Sequence, residues 1–270
     1  VMSVTHESPA TAERSRLRAG AIPSEHGGWG LTLEPVLLGL LVAPSRAGAL
    51  IGLSAFVAFL ARTPAKLVAV DRRRERWLDR SRLALAVASA EVLLIGGLVG
   101  LATWSAGWRW WVPVLVALPL VAVEWSFDVR SRGRRLVPEL CGAVGVAASV
   151  AAIVIAGGDA ASLAVGCWMV LAGRSLGAIP FVRSQIVQAR RGVLETRGSD
   201  LAQVAAVCVA AAAVVLDRAM VAGAVGVAVL AGLQAWWVRR EPPVVKVLGL
   251  RQMALGLALV VVTAIGVHLA

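Results

Sequence analysis

Arg62, Lys66, Arg174 and Arg183 stand within or at the ends of long apolar runs, where a charge is costly and is retained for a function or a partner. Arg62 and Lys66 are one helical turn apart and therefore point the same way. Arg174 lies inside a second apolar run, and Pro180 is expected to break that helix before Arg183. Guanidinium and ammonium groups in a low dielectric suit phosphate or carboxylate partners. The chemistry this set supports is a grip on the head of an amphipathic anion, in a cavity opening toward the charged connections. Snorkelling to the headgroups is the competing reading. It explains Lys66 better than Arg62, because Thr63, Pro64 and a further apolar turn follow Arg62.

A second set of groups opens the first apolar run, IPSEHGGWGLTLEPVLLG from Ile22 to Gly39. Ser24 can cap a helix whose first turn holds Glu25 and His26, where acidic residues are favoured. Glu34 lies deeper, with Gly27 and Gly30 on its face and Pro35 freeing a backbone carbonyl one turn back. This segment reads either as the wall of a polar cavity, with Glu34 and His26 as candidate acid or base, or as a strut in which Glu34 neutralises a buried cation. Glu139 follows Pro138 at the start of another run, as a helix-start charge or a further binding group. The expected substrate-binding set is thus Arg62, Lys66, Arg174, Arg183 and Glu139. Glu124 and Asp128 share one face at the end of a fourth run, and Glu91 stands alone in a third. Asp71, Glu75 and Asp79 sit among five arginines and read as an ion-paired surface helix. No metal-ligand set is assigned, and no cofactor follows from these residues.

The elements that must position these groups are membrane helices. Of the 270 residues 59% are hydrophobic, gathered in runs near residues 24–43, 47–70, 82–104, 110–128, 136–157, 160–180, 200–216, 219–238 and 244–268. Most approach the ~20 residues a helix needs to cross hydrocarbon. The expected fold is all-α, a polytopic membrane protein of about nine transmembrane helices in a single domain over 22–270, after a disordered cytoplasmic tail over 1–21. All 27 Lys and Arg residues except Arg46, Arg109 and Arg218 fall on one side of that topology. The positive-inside rule then puts the N-terminus in the cytoplasm and the chain in the cell membrane. The net charge of +11 is explained by that asymmetry and by anionic lipid, so no nucleic-acid partner is expected. Cys141, Cys167 and Cys208 are isolated in separate runs and read as buried packing. Trp104, Trp108, Trp110 and Trp111 at one end, and Trp77, Trp125, Trp236 and Trp237 at the other, read as interfacial belts.

The segments EHGGWGLTLEP, RTPAK and RSLGAIPFVRSQI, in that order, resemble the YwiC-like family of bacterial membrane proteins, over nearly the whole chain after residue 21. More distantly, nine spans with charged connections after the second, fourth and sixth resemble the UbiA superfamily of intramembrane prenyltransferases. That resemblance implies a UbiA-like bundle and prenyl-transfer chemistry on a phosphorylated isoprenoid. It also implies an N-x-x-x-D-x-x-x-D motif ending span two and a D-x-x-x-D motif ending span six, which hold magnesium. Here Arg62, Lys66 and Val70 occupy the first spacing with only Asp71 nearby, and Arg183 occupies the second with no carboxylate before Glu195. The expectation is therefore direct cationic contact with an isoprenoid or similar anionic amphiphile. A non-catalytic lipid- or quinone-binding protein or a transporter is the alternative.

Overall fold

The computed structural model describes residues 26–130, 132–133 and 135–270, with side chains from Trp29 onward in the first helix. The N-terminal tail, Ser24 and Glu25 lie outside the described residues, as does the His26 side chain. Among the described residues nine α-helices follow one another: α1 (His26–Val42), α2 (Arg46–Arg73), α3 (Asp79–Ala106), α4 (Trp111–Val129), α5 (Leu136–Ala156), α6 (Ala161–Arg191), α7 (Arg197–Leu216), α8 (Val221–Trp237) and α9 (Val245–Leu269). A 3-10 turn, Arg218–Met220, joins α7 to α8, and no strand occurs among the described residues. Eight of the helical segments are long and apolar enough to cross a bilayer, and α1 adds a shorter apolar stretch over Trp29–Val42. The chain is an all-helical, multi-pass membrane protein.

Local sequence sets the helix ends. Pro44 separates α1 from α2, and the Ser45 hydroxyl caps α2 by accepting from the Gly48 N–H at 2.9 Å. Gly107 and Gly192 end α3 and α6 at positive φ, +72° and +66°. The end of α2 uses the same device with the wrong residue. Glu75 takes φ +54° while its N–H donates to the Arg72 carbonyl and the Arg76 N–H to the Asp71 carbonyl, the two bonds of a Schellman motif. The expected surface helix over Asp71, Glu75 and Asp79 is therefore absent. Asp71 closes α2, Glu75 makes the turn and Asp79 opens α3.

Pro180 does not break its helix. The helix α6 runs unbroken through 31 residues with Pro180 inside it. One proline removes one backbone bond, and the turns beyond it are held by Phe181, fully buried against Val238 and Leu248. At about 1.5 Å per residue α6 reaches roughly 46 Å, beyond the ~30 Å hydrocarbon thickness, so its last turn carries Arg190 and Arg191 past the apolar zone.

Of the eight long spans α5 and α6 are the most enclosed, and the main core joins them to α1, α7, α8 and α9 around Leu38, Val150, Cys167, Val170, Ala210 and Val260. Small residues permit the close approaches. A side chain at Gly173 would strike the Ala206 backbone of α7. Of the cysteines only Cys167 is buried, while Cys208 faces outward and Cys141 is half-buried, all three unbonded. Trp110 and Trp111 also depart from the interfacial reading: they stack at 4.8 Å, Trp110 is buried, and Trp111 donates to the Thr103 hydroxyl at 3.0 Å. Trp104, Trp108, Trp77 and Trp236 remain outward-facing.

Candidate functional site

The helices α2 and α4 run in the same direction, and the spacing of one matches the spacing of the other. Arg62 and Lys66 on α2 face Glu124 and Asp128 on α4, each pair one turn apart. Arg62 Nη2 lies 2.7 Å from Glu124 Oε1 and 2.7 Å from Asp128 Oδ2, and Arg62 Nε donates to Asp128 Oδ2 at 3.0 Å. Lys66 Nζ donates to Asp128 Oδ1 at 3.1 Å. The carboxylates are the enclosed partners, with side chains 14% and 2% exposed, against 36% for Arg62 and 37% for Lys66. Their seats are cut by glycine: a methyl group at Gly142 on α5 would collide with the Glu124 carboxylate, and one at Gly133 in the α4–α5 loop with that of Asp128. Arg62 and Lys66 therefore turn into the bundle toward α4, and each is anchored from below by carboxylate.

This ladder closes one end of an apolar cavity of about 550 Å³ between α2, α3, α4 and α5, a size typical of small-molecule sites. Arg62, Glu124 and Asp128 reach its lining, Ser54 and Ser149 stand among its walls, and most of the rest is alanine, valine, isoleucine and aromatic carbon, including Trp111 and Trp125. Both hydroxyls donate to carbonyls of their own helices, Ser54 to Ile51 at 2.7 Å and Ser149 to Val146 at 2.8 Å, which lowers the polarity of the wall. The cavity exists because α3 packs on α2, and α4 on α5 and lightly on α2, while the α3–α4 contact is slight among the described residues, with Trp111 bonded to Thr103 near one end. The wall residues Leu118, Val121 and Trp125 are 56%, 38% and 38% exposed, so the cavity opens sideways through the face that meets lipid.

The remaining expected residues do not join Arg62 there. Arg174 and Glu34 pair with each other, Nε to Oε2 at 3.1 Å, with both side chains 4% exposed. Arg174 Nη2 also donates to the Gln252 carbonyl at 2.6 Å, and Gln234 Nε2 donates to Gln252 Oε1 at 3.3 Å. This cluster ties α1, α6, α8 and α9 together in the other half of the bundle, and neither Glu34 nor Arg174 lines the cavity. Arg183 Nη1 donates to Glu139 Oε2 at 2.9 Å. Glu139 stands one turn before Gly142 on α5, so that pair neighbours the Glu124 end of the ladder. The four cations thus face carboxylates in three places, and the partners supplied by α4 are the residues that spacing on one helix could not pair. Their signal was the matching one-turn spacing of two cations and two acids at the ends of spans two and four.

Among the described residues no three His, Cys, Asp or Glu side chains gather as a metal site. Glu91 Oε2 is buried with no hydrogen-bond partner among them.

No curated protein and no solved structure matches the chain. A family model, described as YwiC-like protein, matches residues 22–156, which is half of the chain. The match includes α1 to α5, the whole charge ladder and all four walls of the cavity, while Arg174, Arg183 and the RSLGAIPFVRSQI segment lie beyond it. The chain belongs to the YwiC-like family.

Proposed function

We propose that the cavity holds a single-tailed amphiphile drawn from the bilayer, its tail among the apolar walls and its oxygen-bearing head at the Arg62 end of the lining. The observation that carries this reading is the union of an apolar space of about 550 Å³ with a charged end. An isoprenoid or similar tail fits the walls. The sideways opening between α3 and α4 fits a ligand that arrives through lipid. Lys66, behind the lining, holds the Asp128 carboxylate that Arg62 shares, and so keeps the polar end of the cavity in place.

Charge decides between the two classes of ligand. Arg62 and Lys66 are balanced by Glu124 and Asp128, so the ladder is neutral as a unit. A diphosphate would meet two enclosed carboxylates and would have to displace them from their cations. A quinone, a polyprenol or a monoanionic head requires no such displacement. The geometry therefore favours binding or carriage of a lipid- or quinone-like molecule over magnesium-dependent prenyl transfer, and the fold is read as UbiA-like in layout alone. The basic ends of α2, α4, α6 and α8 are assigned to the cytoplasmic side by the positive-inside rule. Glu34, Arg174, Arg183 and Glu139 take supporting roles in this assignment.

The test is mass spectrometry of lipids and isoprenoids retained by gently purified protein, repeated with Ala58→Trp, which fills the cavity from an outward-facing wall position. Geranylgeraniol and geranylgeranyl phosphate serve as added probes of equal tail. The expected result is retention by the native chain, loss in Ala58→Trp, and no more than about a tenfold preference for the phosphate. Equal retention by both proteins would remove the cavity from the account, and a far larger phosphate preference would restore the anion-gripping reading.

A further inference from the structure

A second apolar recess lies along the α2–α3 hairpin and shares Ala65 alone with the lining of the cavity. It is a groove of about 580 Å³ whose floor is Ala65, Ala69 and Ala88 and whose flanks include Leu85 and Val92, with Arg72 at one end. The small residues on facing turns let the two helices approach while leaving a channel between their larger side chains. From Ala65 to Arg72 the channel extends about 10 Å along the helix axis. Trp77, 47% exposed in the next loop, marks the interfacial level at the Arg72 end.

The charge at that end is not compensated. Residues 71–82 read DRRRERWLDRSR, in which arginines outnumber acids two to one. The Asp71 carboxylate is engaged by Arg80 at 3.2 Å and by the Ser81 hydroxyl at 2.7 Å. Arg72, which lines the groove, has no carboxylate partner among the described residues.

We propose that this groove is a binding site for an anionic diacyl phospholipid, with one acyl chain in the channel and the phosphate at Arg72. Charge complementarity selects this occupant. A zwitterionic lipid brings its own cation to an already cationic loop. A partner helix or a second copy would set apolar surface beside Arg72 and leave that charge without a counter-ion.

The experiment uses the full chain in mild detergent, with phosphatidylglycerol and phosphatidylcholine of identical acyl chains added as competing probes and bound lipid read by native mass spectrometry. The native chain should retain phosphatidylglycerol about fivefold over phosphatidylcholine, the equivalent of ~1 kcal/mol for one interfacial arginine. Arg72→Gln should bring the ratio close to one. Arg82→Gln, which removes a cation from the first turn of α3 outside the groove, should leave the preference in place. Ser89→Leu, at an outward-facing groove position, should lower retention of both lipids. No preference in the native chain, an unchanged preference in Arg72→Gln, an equal loss in Arg72→Gln and Arg82→Gln, or unchanged retention in Ser89→Leu would each overturn the site.

Discussion

Replacing Glu34 by Gln isolates the buried pair with Arg174, because the substitution keeps the shape and removes the charge. The two side chains are each 4% exposed and 3.1 Å apart, and deleting one partner of such a pair costs roughly 3 to 5 kcal/mol. Two features bring the expected value toward the lower end. Arg174 keeps its bond to the Gln252 carbonyl at 2.6 Å, and the unfolded chain within a membrane also finds polar partners. A loss of about 3 kcal/mol is therefore expected, close to a hundredfold in the unfolding equilibrium. The measurement is denaturation by increasing SDS mole fraction in mixed micelles, with amphiphile retention recorded on the same sample. Arg174→Met alone should cost a similar amount. The pair Glu34→Met with Arg174→Met should cost much less than the sum, because no lone charge remains. Amphiphile retention should persist in the folded fraction of each, since neither residue lines the cavity. A Glu34→Gln variant of unchanged stability that no longer retains amphiphile would refute the reasoning and make Glu34 part of the binding site.

Other outcomes follow from single positions. Gly256→Ala puts a methyl group into the Glu34 carboxylate and should cost about 1 to 3 kcal/mol in the same denaturation assay; full stability would show that α9 can shift freely. Glu75→Gly relieves a non-glycine residue at φ +54° and should raise stability by about 1 kcal/mol, with a lower melting midpoint as the contrary result. Asp128→Asn leaves both Arg62 and Lys66 without their shared enclosed partner and should cost more than Glu124→Gln, which removes one contact of Arg62; the reverse order in denaturation would discredit the ladder. Cysteines introduced at Trp108 and Val193, both outward-facing and at opposite ends, should label from outside and from inside respectively in intact cells, and the opposite pattern would invert the orientation.

Hydropathy is a property of a run of residues taken alone, and for that reason the nine helices, their approximate ends and the concentration of charge at one end could be read from the sequence. The same holds for caps: Ser45, Gly107 and Gly192 act on their own turn. The partners of the charges were a different matter. Arg62 and Lys66 announced a need for anions, but whether those anions would be a ligand's or the chain's own depended on the register between α2 and α4, which is decided by how every helix packs at once. Glu34 and Arg174 are far apart in sequence and meet only because Gly256 lets the carboxylate lie against α9. Pro180 shows the limit in the other direction. Its local preference to break a helix was overruled by burial of Phe181 against Val238 and Leu248. The cavity is the most tertiary feature of all. It is space left where α3 and α4, neighbours in sequence, make little contact among the described residues beyond the end held by Trp111 and Thr103, and no residue type along the chain records that separation.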